Sequence, residues 1–167
     1  CKPEHLYQFA MMGSVLASLI DGKKAPTIAL LNIGEEAGKG SETVKLADAL
    51  CKADVILNYI GYTEADRLLS GDADVIVADG FVGNIALKSC EGTASYISDV
   101  IQREFSHSRI SKVLGFVARP VLKTVLQKLD PQQYNGASFL GLNGIVVKSH
   151  GNSSAEGFFN AIAQART

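Results

Sequence analysis

The stretch Asp72–Lys88, DADVIVADGFVGNIALK, constrains the fold more than any other part of the chain. It reads as a buried strand over Ala73–Ala78, a tight glycine-rich turn DGFVG, and a long helix from about Asn84. A short β-branched run between a Gly-Asp start and a glycine break has the character of a central parallel strand. In open α/β sheets, ligands gather where strands end at their carboxyl edge and helices begin with free N–H groups. Chemistry is therefore expected at Asp79–Asn84. Asp79, Gly80 and Gly83 either cradle an anion or merely turn the chain, with Asp79 as the cap.

The preceding residues supply more of the same alternation. Pro3 opens a helix in which Leu6, Phe9, Gly13, Leu16 and Ile20 recur at three-to-four spacing, ended by Gly22-Lys23-Lys24. A strand over Thr27–Ile33 runs into GEEAGKGSE. Gly34, Gly38 and Gly40 around Lys39 could hold an anion with backbone donors and one cation; a flexible loop with solvated charges is the alternative. The nucleotide P-loop pattern is not met, because three residues separate Gly34 from Gly38 and Gly40 follows the lysine. A helix over 41–52 and a strand over 54–60 follow. Thr63 and Asp66 then form a capping-box pattern for a short helix ending at Gly71. This alternation implies right-handed crossovers and a parallel sheet. The helix after DGFVGN sets Cys90, Ala94, Ile97, Ile101 and Phe105 on one face, which is expected to lie on the sheet. Lys88 sits one turn inside that helix, as a site group or a solvated charge.

A chain of 167 residues suffices for one α/β domain with a real core. Apolar residues make up 47% and charged ones 20%, with the signs nearly balanced, which excludes disorder and gives no electrostatic case for nucleic acid. No apolar run is long enough to span a bilayer. FAMMGSVLASLI is flanked by Glu4 and Asp21, which favours an ordinary buried helix over a signal segment. The chain starts at Cys1 and enters a helix directly, so it is expected to be part of a longer one. Cys1, Cys51 and Cys90 lie far apart with no CxxC, which suggests a reducing cytoplasm, inert core thiols and no metal site.

From Ser106 to Asp130 the character changes. Arg109, Lys112, Arg119, Lys123 and Lys128 occur with no acidic residue between Phe105 and Leu129. Ile110, Val113, Leu114, Val117, Val121 and Val125 share one helical face. Arg109, Lys112, Arg119 and Lys123 fall within an arc of roughly 80° on the other, at about 100° per residue. Phe116 on the polar side and Lys128 on the apolar side blur the pattern, and Pro120 is expected to kink or divide the helix. Such a segment fits an anionic lipid surface, an acidic partner or a dimer interface.

Pro131–Gly141, PQQYNGASFLG, is rich in turn formers. Asn143-Gly144 opens a last strand over Ile145–Ser149, and Ser153 with Glu156 makes a capping box for a closing helix. Lys148 and His150 then project at a strand's carboxyl end beside Gly151 and a new helix N-terminus. They are either structural or part of an anion site.

The strings LNIGEEAGKG, DVIVADGFVGNIALK and YNGASFLGLNGIVVKSHG, in this order, resemble the bacterial phosphate acyltransferases of phospholipid synthesis over essentially the whole chain. The resemblance implies the C-terminal portion (1–167) of a single α/β enzyme. Its fold would be three-layer and Rossmann-like with a largely parallel sheet, as in isocitrate and isopropylmalate dehydrogenases. Residues 106–130 would form a protruding amphipathic helix pair. The family moves the acyl group of an acyl carrier protein thioester to inorganic phosphate, and a membrane glycerol-phosphate acyltransferase uses the acyl phosphate. It needs no cofactor, and works as a homodimer in the cytoplasm, partly at the inner face of the cell membrane.

Where the dehydrogenases carry a metal-binding Asp, this chain has Asn84, and Asp79 alone is a poor site for a hard cation. Metal-assisted decarboxylation is thus disfavoured. The expected roles are catalysis for Lys148, His150 and Asn84. Substrate or phosphate binding falls to Gly34, Lys39, Asp79, Gly80, Gly83, Lys88, Asn135, Gly136, Asn143 and Gly151. Arg109, Lys112, Phe116, Val117, Arg119 and Lys123 would face the membrane or a partner. Three other classes stay open: a coenzyme A-dependent phosphate acetyltransferase, half of an NAD-dependent dehydrogenase, and a non-catalytic module binding carrier protein or membrane.

Overall fold

A computed structural model describes residues 1–129, 135–151 and 153–166. The chain divides into two compact units, Cys1–Ala86 and Leu87–Thr167.

In the first unit, helix α1 (Pro3–Asp21) starts at Pro3 and stops at Gly22, whose φ of 67° is left-handed. Strand β1 (Ile28–Leu31) follows, with all four residues buried. Ser41 accepts the Val44 N–H and starts helix α2 (Glu42–Ala53). Strands β2 (Tyr59–Thr63) and β3 (Val75–Val77) both run parallel to β1, in the order β2-β1-β3. The centre of the described sheet is thus β1, and β3 is at its edge. Both runs are apolar, so pattern alone could not rank them; the four-residue burial of β1 does.

The core joins Leu6 and Ala10 of α1, Ile28 and Leu30 of β1, Ala47 and Cys51 of α2, Leu57 and Val77. Burying side chains such as Leu6, Ile28 and Leu30 contributes about 1.5–3 kcal/mol each. The buried positions of α1 are Leu6, Ala10 and Ala17, whereas Phe9 and Ile20 stay about 40% exposed. Small residues win that face because α1 lies close to the sheet: a Cβ on Gly13 would stand 2.7 Å from Val75 Cγ1.

Several boundaries differ from the expectations. The strand expected over 54–60 is β2, which begins at Tyr59, because Asp54 turns back to accept the Ile56 N–H. Thr63 ends β2, so the expected capping box is not formed; a single 3-10 turn, Ala65–Arg67, follows instead. Helix α3 (Gly80–Ser106) starts four residues before Asn84. The DGFVG turn is therefore its first turn, with Asp79 accepting the Phe81 and Val82 N–H groups.

The second unit holds the rest of α3, helix α4 (Arg109–Leu129), strands β4 (Ala137–Ser138) and β5 (Val147–Lys148), and helix α5 (Ala155–Gln164). No residue of α3 is fully buried, and Cys90, Ala94, Ile101 and Phe105 are only half-buried. Helix α4 runs through Pro120 undivided. Ser108 caps it, its hydroxyl accepting the Ser111 N–H at 3.0 Å. The last strand is shorter than expected and pairs antiparallel with β4. Ser154, not Ser153, caps α5 by accepting the Gly157 N–H at 3.1 Å. Residues 131–134 of the expected turn-rich loop, Asp130, Asn152 and the Lys128 side chain lie outside the description.

One clamp fixes where β1 and β3 begin. The Asp74 carboxylate accepts from Thr27 N at 2.8 Å, from Thr27 Oγ1 at 3.0 Å, and from Lys23. In return Asp74 N donates to Thr27 Oγ1 at 2.9 Å. The Lys23 bond, followed by those from Thr27, holds the Asp74 carboxyl down from the ordinary 3.8 to about 2. A lowered carboxylate pKa gives stability that is complete above the unfolded value and lost as pH falls through the folded one. The thermal midpoint is therefore expected to drop between about pH 4 and pH 2. Asp74→Asn should lower the midpoint by a few degrees at neutral pH and flatten that drop, as calorimetry over this range would read.

Candidate functional site

Two clusters of candidate residues form, one in each unit. In the first, adjacent strands β1 and β3 end on the same edge of the parallel sheet, and each feeds a loop bearing candidates. After β1 stands Asn32, 8% exposed. Its backbone N–H donates to Thr63 O at 2.9 Å, carrying the β1–β2 ladder one step further. Its amide Nδ2 donates to the carbonyls of Gly34 and Lys39, each at 3.1 Å. A buried amide needs such partners, and here it finds them at both ends of the GEEAGKG loop. The loop is thus pinned to the sheet rather than loose. Gly40 has a φ of 92°, and a Cβ there would run into the Asn32 side chain, so both backbone and space require glycine.

Lys39 stands at the end of this loop with half its side chain exposed. Its ammonium pairs with Glu36 at 3.1 Å, while Glu35 pairs with Arg67 at 3.1 Å. A backbone bond, then Lys39, holds the Glu36 carboxyl below its ordinary range. Exposed pairs of this kind are weak, so an anion with more charge can displace Glu36 from Lys39.

At the β3 edge, Asp79 Oδ1 takes the N–H groups of Phe81 at 2.8 Å and Val82 at 3.0 Å. Gly83 N donates to the Asp79 carbonyl at 2.8 Å. Of the backbone donors expected to meet an anion at Gly80–Asn84, those of Phe81, Val82 and Gly83 are thus engaged by Asp79 itself. Asn84, exposed on the next turn, offers its side-chain amide instead.

In the second unit, the side chains of Lys88 and His150 meet, Nζ to Nε2, at 3.0 Å. An ammonium only donates, so His150 Nε2 accepts and the ring proton sits on Nδ1. Lys88 Nζ also donates to Glu91 Oε2 at 2.6 Å, and that oxygen lies 3.8 Å from His150 Nε2. Asn135 secures the loop carrying His150. Its Oδ1 accepts His150 N at 2.8 Å, and its Nδ2 reaches Ser149 Oγ and Ser153 Oγ at 2.9 Å and Gly157 O at 2.7 Å. Ser153 Oγ closes the loop by donating to His150 O at 2.6 Å.

Of the expected residues, Lys88, His150 and Asn135 come together. Lys148, exposed on β5, takes no part in this cluster's bonds among the described residues. Gly136 lies against Ala161 and Gln164 of α5, while Asn143 and Gly151 are exposed on loops. Sequence reading missed Glu91 and Asn32. The Lys88-to-Glu91 spacing of one helical turn was the available signal for the first, and a polar residue closing the apolar run IALL for the second.

Among the described residues, no three of His, Cys, Asp and Glu converge as a metal site. Cys51 is buried, and burial, with Asp48 and Asp54 nearby, pushes its thiol up to about 11. It is no nucleophile at neutral pH. Cys1 is exposed and Cys90 half-buried, so only Cys51 is a core thiol.

Gly115 of α4 lies against Phe105 at the end of α3, beside a shallow groove of about 390 Å³ lined also by Ile101, Lys112, Arg119 and Leu122. The apolar face faces elsewhere: Ile110 is 75% exposed and Val117 72%. Its neighbours Val113, Leu114, Val121 and Val125 are exposed too. Arg109, Lys112, Phe116, Arg119 and Lys123 are exposed on the other side.

A family model described as "Fatty acid synthesis protein" matches residues 1–167. The chain is 50% identical over 165 residues to a protein of Methylococcus capsulatus named phosphate acyltransferase, covering 99% of the chain and 48% of that protein. A protein of the same name from Legionella pneumophila is 51% identical over 162 residues, 97% of the chain and 47% of its own length. One from Pseudomonas savastanoi is 54% identical over 165 residues, 99% of the chain and 48% of its length. The chain thus spans about half the length of the curated relatives it matches.

Proposed function

Because the chain belongs to the fatty acid synthesis protein family, we propose that it supplies part of the site of a phosphate acyltransferase. The donor in this reading is an acyl carrier protein thioester and the acceptor inorganic phosphate. A phosphate oxygen attacks the thioester carbonyl, a C–O bond forms, the C–S bond breaks, and the thiolate leaves with a proton. The products are acyl phosphate, for phospholipid synthesis, and free carrier protein. The observation that carries the reading is identity of 50–54% over nearly the whole chain to proteins of that name.

The local geometry fits that chemistry. Phosphate needs a cation and aligned donors; the Asn32-pinned loop presents Lys39 after β1, and the adjacent strand β3 leads into the start of α3 with Asn84. Lys88 and His150 suit the developing oxyanion or the leaving thiolate. The parallel sheet supports a three-layer, Rossmann-like fold of the isopropylmalate dehydrogenase kind. A cytoplasmic homodimer whose α4 tip touches anionic lipid, close to a membrane acyltransferase, accounts for a helix that is apolar on one exposed face and basic on another. No described helix is long and apolar enough to cross a membrane.

In the full-length protein, acyl carrier thioester and phosphate are expected to yield acyl phosphate, trapped as a hydroxamate. Lys39→Ala should lower turnover by about 100-fold or more. Equal use of coenzyme A thioesters would mark an acetyltransferase, and binding of NAD in place of phosphate a dehydrogenase. No acyl phosphate from either donor contradicts the proposal. Separately, the protein should float with vesicles containing phosphatidylglycerol and Val117→Glu should not. Unchanged flotation of that variant removes the membrane role of this face.

A further inference from the structure

The Lys88–Glu91 contact has the spacing of an ordinary pair on a helix surface, and such pairs usually do little. Two observations set it apart. The Glu91 carboxylate is mostly covered, at 22% exposure, and its lysine reaches on to a histidine 62 positions away. That histidine is itself anchored, because Asn135 holds its backbone N–H and ties the same loop to α5. A chance surface contact would not end on a residue fixed from the other side.

We propose that Glu91 is a positioning residue that directs the Lys88 ammonium toward a negatively charged oxygen of the substrate. The ammonium has three protons. One goes to Glu91 Oε2 at 2.6 Å and one to His150 Nε2 at 3.0 Å. Tetrahedral geometry then fixes the direction of the third. Without Glu91 the flexible lysine stem samples more rotamers, and its contact with His150 Nε2 is held less firmly. The oxygen met by the third proton belongs to phosphate or to the thioester carbonyl as it becomes an oxyanion. This rests on the acyl-transfer reading above.

The test has a structural and a kinetic arm in the full-length protein. Nitrogen NMR of His150 is expected to show Nε2 as an acceptor with the proton on Nδ1 in the wild type. Glu91→Ala should shift the ring signals away from those of the wild type. Turnover of Glu91→Ala should fall about tenfold or more. Glu91→Gln, whose amide oxygen still accepts from Lys88, should keep most activity and the wild-type ring signals. A fall in kcat at constant KM for phosphate assigns the third proton to the oxyanion, and a rise in that KM assigns it to phosphate. Identical ring signals in the wild type and Glu91→Ala, or equal loss of turnover in the Ala and Gln variants, overturn the proposal. If the wild type makes no acyl phosphate, the acyl-transfer reading fails, while the ring signals still judge the role of Glu91.

Discussion

The amide of Asn32 joins the folded core of the first unit to the loop that bears Lys39. Its main chain belongs to the sheet, bonded to Thr63, while its side chain holds the carbonyls of Gly34 and Lys39. An unpaired amide at this depth costs on the order of 1–3 kcal/mol, so folding the sheet and closing the loop favour each other. The lysine is then placed by the core before any ligand arrives. Gly40 is the other half of the arrangement, since a side chain there would occupy the space that the amide needs.

Around that contact the small parallel sheet brings its two loops to one edge. The Asp74–Thr27 clamp aligns the start of β3 with that of β1, so their ends also fall side by side. Asp79 then begins α3 by taking its first N–H groups, which turns the helix start from an empty anion site into a capped one. In the proposed anion site, charge would then come from side chains, with Lys39 as the cation and Asn84 as a neutral donor. The second unit places its cation by other means. It holds a lysine against a histidine and a glutamate, and fixes the histidine through the polar network of Asn135.

Element types were largely legible in the sequence because they rest on local rules. Pro3, Ser41 and Gly22 mark helix ends by chemistry that acts within one turn. The parallel pairing followed from the alternation of strands and helices. Less legible was anything decided by distant contacts. VIV and IALL look alike, and only packing makes β1 the centre. DGFVG reads as a loop until Asp79 is seen to cap a helix beginning at Gly80. On α4 the stripe pattern did not show which residues meet α3, and that contact runs through Gly115 on Phe105. Of the candidate residues, Lys88 and His150 were named for reasons of position, and their meeting is a tertiary fact. Glu91 escaped because a glutamate one turn from a lysine is common on any helix.

The central claim is that the core, through Asn32, presents the loop 34–40 ready to receive an inorganic oxyanion. Amide NMR of the protein titrated with inorganic phosphate tests it most directly. The account predicts saturable shifts at Gly34–Gly40 and at the Asn84 side chain, with affinity reduced about tenfold or more in a folded Asn32→Ala variant. Shifts confined to other parts of the chain, or wild-type affinity in Asn32→Ala, would contradict it.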